Sequence, residues 1–259
     1  MKAKRIRCGK GLGDSLYLQS VVRHLVNKGE NLEVCTNWND VFIPLKKKVK
    51  LAPFSREGID IVAHYSMRKN YISKQFDDCC LQAGIDDDVE FKLNWQIQNN
   101  KFIRQFARFT KPIALVLLYR LPMDRADGFA EEILPDIKVI QQVIDSLKLR
   151  YTIVLVGSGQ AIKDYEGIDI DVSNKTTVSE LIDLALISDV MVGYCSFFVP
   201  LAESLDKKAL FVWSEKGLKS SSNFIKTITP NKILYKDSSR YVIDSWDEEK
   251  IDNVINQFL

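Results

Sequence analysis

The chain has 259 residues, 46% of them apolar and 27% charged, with a formal net charge of +2, the balance of a globular protein and not of a disordered or fibrous one. No stretch approaches the roughly 20 apolar residues that cross a bilayer, and no apolar core or small-residue cleavage site follows the basic start (Lys2, Lys4, Arg5, Arg7), so the chain reads as soluble and cytoplasmic. Five cysteines without a C-x-x-C pair and only two histidines, His24 and His64, argue against a disulfide framework, a zinc site or a multi-histidine metal centre and turn attention to carboxylates for base chemistry.

In chain order, residues 3–8 read as a strand and 9–13 as a glycine-rich turn. A helix over 14–28 follows, with Leu16, Val21, Val22, Leu25 and Val26 on one face and Gly29 at its C-terminal cap. A strand over 32–36 comes at once, and this β-α-β spacing favours a parallel sheet with right-handed crossovers. The run Lys46, Lys47, Lys48 and Lys50 reads as an exposed edge or loop. A strand near 59–64, a helix near 73–83 closed by Gly84 and a strand over 89–95 complete the half, and 96–110 reads as a linker.

The alternation restarts with the uninterrupted apolar run at 113–119, which suits a fully buried parallel strand. A helix over 126–147 contains Pro135, which is expected to kink or split it. Then come a strand at 151–157, a helix at 179–187, a strand at 190–193, a helix at 199–205 and a strand at 209–213. A last helix at 247–258, capped by Ser245 or Asp244, is a candidate to pack back on the first half. The fold class is α/β, with two Rossmann-like doubly wound domains, 1–110 and 111–259, facing a cleft. Residues 1–110 carry 19 Lys and Arg against 12 Asp and Glu, a net +7, and the remainder carries a net −5. That asymmetry points the first domain at an anionic partner.

In open parallel sheets ligands bind beyond the carboxyl ends of the strands, which singles out four places. Gly9-Lys10-Gly11-Leu12-Gly13-Asp14-Ser15 allows close backbone approach and presents helix N-terminal amides to an anion. It lacks the Gly-Lys-Ser/Thr ending of a Walker A loop, and a dinucleotide fingerprint would need glycine where Asp14 stands. That departure speaks against a nucleotide-sugar epimerase or another NAD enzyme. Asp14 suits deprotonation of a hydroxyl or, more simply, helix capping. Second, Arg120 and Arg125 follow the 113–119 strand and could clamp a diphosphate. Third, Gly157-Ser158-Gly159 is a turn fit for close ligand approach. Fourth, Thr176 and Thr177 precede a helix, and Ser196 opens another, offering a hydroxyl and an amide-rich start to a phosphate. The short Asp169-Ile170-Asp171 match to a metal-binding D-x-D is too common by chance to assign a metal.

These pieces resemble, in order, the heptosyltransferase-like GT-B glycosyltransferases, the ADP-heptose:lipopolysaccharide type. Gly11-Leu12-Gly13-Asp14 looks like that family's G-x-G-D segment, whose aspartate is the proposed general base. The segment 177–185 resembles the helix before the donor-site strand, and Val192-Gly193, Leu201-Ala202-Glu203-Ser204-Leu205 and 209–213 resemble that strand, the next helix and the next strand. The family's D-T/S-G-x-x-H reads here Cys195-Ser196-Phe197-Phe198-Val199-Pro200, so only the hydroxyl survives, and the chain is short for the family.

The resemblance implies an inverting, metal-independent transfer of a hexosyl, pentosyl or heptosyl group from a nucleotide-sugar, a substrate and not a cofactor, to a hydroxyl. Asp14 would be the base. Gly11, Gly13, Arg120, Arg125, Gly157, Thr176, Thr177 and Ser196 would hold the donor, and Lys10, Lys46, Lys48 and His64 the acceptor. The +7 charge implies an anionic acceptor, either a phosphorylated, lipid-linked saccharide or nucleic acid carrying a hydroxylated base. The latter calls for a groove with Lys46, Lys47, Lys48, Lys50, Arg104 and Arg108 and a base held by Trp38, Phe102 or Phe106. The altered donor motif leaves a non-catalytic binding protein of the same fold as the rival.

Overall fold

The computed structural model describes residues 2–65, 74–117, 120–121, 133–158, 160–161, 165–222 and 225–259. The first sheet is built from β1 (Lys4–Arg7), β2 (Leu32–Cys35), β3 (Lys50–Ala52) and β4 (Ile61–Val62) in the order β3-β2-β1-β4, every pair parallel. Helix α1 (Leu12–Asn27) joins β1 to β2 and buries Leu16, Leu18, Val21 and Val22. Its end is set by Gly29, whose φ of +90° only glycine adopts cheaply and whose amide donates to the Val26 carbonyl at 3.0 Å. Helix α2 (Gln75–Gln82) and the short α3 (Lys101–Phe106) follow.

The second sheet comprises β5 (Ile113–Leu117), β7 (Thr152–Val156), β9 (Ile170–Asp171), β10 (Val190–Tyr194), β11 (Lys208–Trp213) and β12 (Ser239–Ile243), all in parallel register; β6 (Arg120–Leu121) pairs antiparallel with β8 (Gln160–Ala161) outside it. Numbered within this sheet the strand order is 3-2-1-4-5-6, the doubly wound dinucleotide-fold order. Its helices are α4 (Ile137–Leu147), α5 (Val178–Ile187), α6 (Phe198–Ser204) and α7 (Glu248–Phe258). Strands β5 and β7 are buried at every residue, as a sheet covered on both faces requires.

Several expectations are corrected. Residues 89–95 form no strand: Phe91, Leu93 and Trp95 are buried while their neighbours are not, so the alternation is real, but the extended chain joins neither sheet. The expected linker contains α3. Pro135 lies outside α4, ahead of its N-cap Asp136, whose carboxylate accepts from the Lys138 amide at 2.8 Å; residues 126–132 lie outside the described ones. Helix α7 is capped by Asp247, not by Ser245 or Asp244. Among the described residues, Ile251, Ile255 and Phe258 of α7 cluster not with the first half but with Val143, Ile144, Val192 and Leu210 on one face of the second sheet.

The other core runs through both halves. Ile6, Leu16, Phe42, Phe91, Leu93, Trp95 and Phe102 share one cluster with Leu115, Val154, Leu184, Phe198 and Phe211. Polar contacts fasten this joint. The Trp95 indole donates to Asp183 Oδ1 at 2.7 Å, the Leu93 amide to the Ser204 carbonyl at 2.8 Å and Gln75 Nε2 to Thr227 Oγ1 at 3.3 Å. At Gly13 the start of α1 meets the start of α6 so closely that a β-carbon there would sit 3.2 Å from Pro200 Cγ and 3.5 Å from Phe197 Cα.

Candidate functional site

Each sheet reverses its strand order once, between β1 and β4 in the first and between β5 and β10 in the second, and such switch points open a crevice at the carboxyl ends of the strands. The chain leaving β1, the chain leaving β4 and the chain leaving β10 all reach one cleft of about 670 Å³. Lys10, Gly11, Gly13, Asp14 and His64 line it on one side and Tyr194, Ser196, Phe197 and Pro200 on the other.

Asp14 sits in the first turn of α1, where its Oδ2 accepts from the Gly11 amide at 2.9 Å. It therefore does cap the helix, yet its side chain keeps 15% exposure and faces the cleft. His64 Nε2 lies 3.9 Å from Asp14 Oδ1, and the imidazole stacks on Tyr65 with ring centres 4.5 Å apart. Burial raises the Asp14 carboxyl above its ordinary range, against the pull of His64, the Gly11 amide and the Tyr65 hydroxyl. Burial likewise lowers the His64 imidazole, which the Asp14 charge opposes. The Tyr65 phenol is pushed well up by burial and by Asp14, so it stays a donor. A carboxylate less acidic than usual, beside an imidazole, can take a proton from a bound hydroxyl.

Around the mouth the expected Lys10 is joined by two cations that the sequence did not single out, Arg7 and Arg56. The Arg7 guanidinium lies 5.8 Å and the Lys10 ammonium 5.5 Å from the centre of the Phe54 ring, and Arg56 lines the same cleft. Among the described residues none of these three is paired with a carboxylate at ion-pair distance. Arg7 Nη1 donates only to the Cys8 carbonyl, at 3.1 Å, and its Nε is buried without a partner. Like charges gathered at one cleft attract an anion. Their signal was positional: Arg7 ends β1, and Phe54 and Arg56 follow β3, a strand that the basic run obscured.

Other expected site residues lie elsewhere. Lys46 and Lys48 are exposed at the end of a 3-10 turn (Asn39–Leu45) and do not line the cleft. Thr176 and Thr177 also stand outside it, because Thr177 caps α5: its Oγ1 accepts from the Glu180 amide at 3.2 Å and Glu180 returns to its amide at 2.9 Å. Gly157 adopts φ +129° after β7, and its carbonyl accepts from the Asn174 amide at 2.8 Å, again outside the cleft lining. Ser196 lies in the cleft, its Oγ accepting from the Phe198 amide and donating to the Tyr194 carbonyl, both at 3.2 Å. Arg120 falls in β6, and Arg125 lies outside the described residues. Glu203, within the motif resembling the donor helix, is fully buried and bound to the Tyr235 and Lys236 amides at 2.7 and 2.8 Å and to the Ser239 hydroxyl. Of the aromatics offered for an extruded base, Phe102 and Phe106 are buried, while Trp38 is only partly so and its indole donates to the Lys10 carbonyl at 2.8 Å. No cluster of three metal-ligating side chains occurs among the described residues, nor does any of their helices have the length and apolarity to cross a membrane.

No family model matches the chain, and no curated protein matches it by sequence. Solved structures do match. ADP-heptose lipopolysaccharide heptosyltransferase II of E. coli aligns over 98% of this chain and 99% of its own, with a TM-score of 0.63 at 13% identity. A glycosyl transferase family 9 protein of Veillonella parvula aligns over 99% and 97%, with a TM-score of 0.65 at 9% identity. The iron-containing dodecameric glycosyltransferase TibC of enterotoxigenic E. coli aligns over the whole of this chain and 80% of its own, at 0.62 and 13% identity.

Proposed function

Given a chain with the GT-B fold of the heptosyltransferases, we propose that it transfers a sugar from a nucleotide-sugar to a hydroxyl of an anionic acceptor, with inversion and without a metal. The observation that carries this reading is Asp14: a partly buried carboxylate of raised basicity, at the carboxyl end of β1, inside a cleft that both sheets open onto. The acceptor hydroxyl gives its proton to Asp14 as its oxygen bonds to the anomeric carbon, while the bond from that carbon to the diphosphate breaks and the nucleoside diphosphate leaves with the electron pair. The matching TibC structure is described in complex with ADP-D-β-D-heptose, which supports a nucleotide-sugar donor. Ser196, the start of α6, Arg120 and Arg125 are the donor-side groups in this reading. Arg7, Lys10 and Arg56 around Phe54 supply the acceptor's countercharge, in place of Lys46 and Lys48. A phosphorylated saccharide suits this small cationic mouth better than duplex DNA, since Lys46 and Lys48 do not line it and two of the three aromatics offered for a flipped base, Phe102 and Phe106, are buried.

The test is a metal-free titration against nucleoside diphosphates and their sugar conjugates, followed by assay of diphosphate release. Asp14→Asn should bind the same nucleotide as the wild type yet lose about 10²- to 10⁴-fold in kcat, the usual worth of a general base. If no nucleotide binds, the transferase reading gives way to a non-catalytic binding protein.

A further inference from the structure

His64 was expected to touch the acceptor, but its surroundings give it another task. It leaves the end of β4, the strand hydrogen-bonded beside β1, so the sheet itself brings its ring to the base. On one side Nε2 meets Asp14 Oδ1 at 3.9 Å; on the other the ring lies on Tyr65, with ring centres 4.5 Å apart. The backbone accommodates the pair at Gly9, where a β-carbon would fall 2.1 Å from Asp14 Oδ2 and 2.8 Å from His64 Nε2. With Oδ2 committed to the Gly11 amide, Oδ1 is the oxygen turned toward the imidazole. We infer that His64 is the positioning partner of Asp14, steadying the carboxylate and taking on the proton that it collects from the acceptor; this rests on the transferase reading above.

The proton balance is simple. The acceptor proton passes to Asp14 and then to His64 Nε2, and the imidazolium, 21% exposed, returns it to water at the cleft mouth. The charged groups around the pair are few. Arg7 on β1 disfavours the imidazolium, whereas Asp14 and Asp78 on α2 favour it; Asp14 also faces the Tyr65 phenol and the buried Cys8 and Cys79 thiols. A group of this kind titrates as a pair, not as two independent sites.

Because the chain has only two histidines, the test is direct. The imidazole proton resonances of the intact protein are assigned with a His24→Gln variant and titrated in the wild-type and Asp14→Asn backgrounds. Loss of the neighbouring anion should move the His64 midpoint down and leave His24 where it was; an unmoved His64 overturns the pairing whether or not the protein transfers sugar. The second measurement is the pH profile of transfer. His64→Gln should lower kcat about tenfold or more, leave the acceptor KM unchanged and shift the acidic limb of kcat/KM to higher pH, because Asp14 loses a cation that favours its ionised form. A raised acceptor KM with unchanged kcat and limb would make His64 an acceptor-binding residue and overturn the inference. Absence of transfer by the wild type, with the His64 response intact, would reject the transferase reading and the proton's source while sparing the pairing.

Discussion

Gly9 has no side chain, and the site depends on that. Alanine there would drive its methyl into Asp14 Oδ2 and His64 Nε2, so Gly9→Ala should cost about 1–3 kcal/mol by urea denaturation, as overpacking does, and should displace the base. Asp14 itself is held against its own preference. Its raised carboxyl pKa means that the folded state binds the proton more tightly than the unfolded chain. Its contribution to stability is therefore complete below the ordinary Asp value of about 3.9 and is lost as pH rises through the folded value. Asp14→Asn, which keeps an oxygen for the Gly11 amide, should then melt higher than the wild type at neutral pH, with the difference closing on acidification; a lower Tm at pH 7 would contradict this. His64 has the opposite sign: its lowered value gives stability above about pH 6.5 that fades as pH falls. Asp14 was legible because a carboxylate replaced the glycine that a dinucleotide loop requires. Arg7, Phe54, Arg56 and Tyr65 were not, since their meeting depends on the order β3-β2-β1-β4, which no local pattern reveals.

At the scale of elements, sequence periodicity located most of the strands and helices in both halves, and its failures have physical causes. The alternation of Phe91, Leu93 and Trp95 reports burial on one side of an extended chain, and burial needs no sheet partner. What holds this segment is Asp183 on α5, whose carboxylate accepts from the Trp95 indole at 2.7 Å and from the Gln98 and Asn99 amides at 3.0 and 2.9 Å. Asp183→Ala should cost about 3 kcal/mol, because several donors lose their acceptor at once. Asp183→Asn, which keeps one acceptor oxygen, should cost visibly less in the same urea titration. Equal losses would mean that one neutral acceptor oxygen does not replace the carboxylate, whose charge and second oxygen then set the penalty. The capping threonine makes a related point: Thr177 matched a family pattern, but a Thr followed three residues later by Glu is also the signature of a helix start, and that is the use the fold makes of it.

For the whole molecule, one apolar cluster shared by both sheets implies that the first half does not retain its core alone and that the second keeps only the cluster on its α4 and α7 face. Calorimetry should show a single transition whose van't Hoff and calorimetric enthalpies agree; two separated transitions would contradict the shared core. The uneven charge of the halves adds a second expectation: affinity for an anionic acceptor should fall as salt rises, since the cations at the cleft mouth are partly solvated and screening acts on them. The same joint bears on modularity. Residues 93–106 come before the second sheet in sequence, yet Leu93, Trp95, Gln98 and Asn99 bond to α5 and α6, and Phe102 and Phe106 lie in the shared cluster. A chimaera spliced at the chain's charge boundary would part these residues from the surface they fit. An exchangeable cassette built on the second sheet begins well upstream, before Phe91, and takes this arm with it.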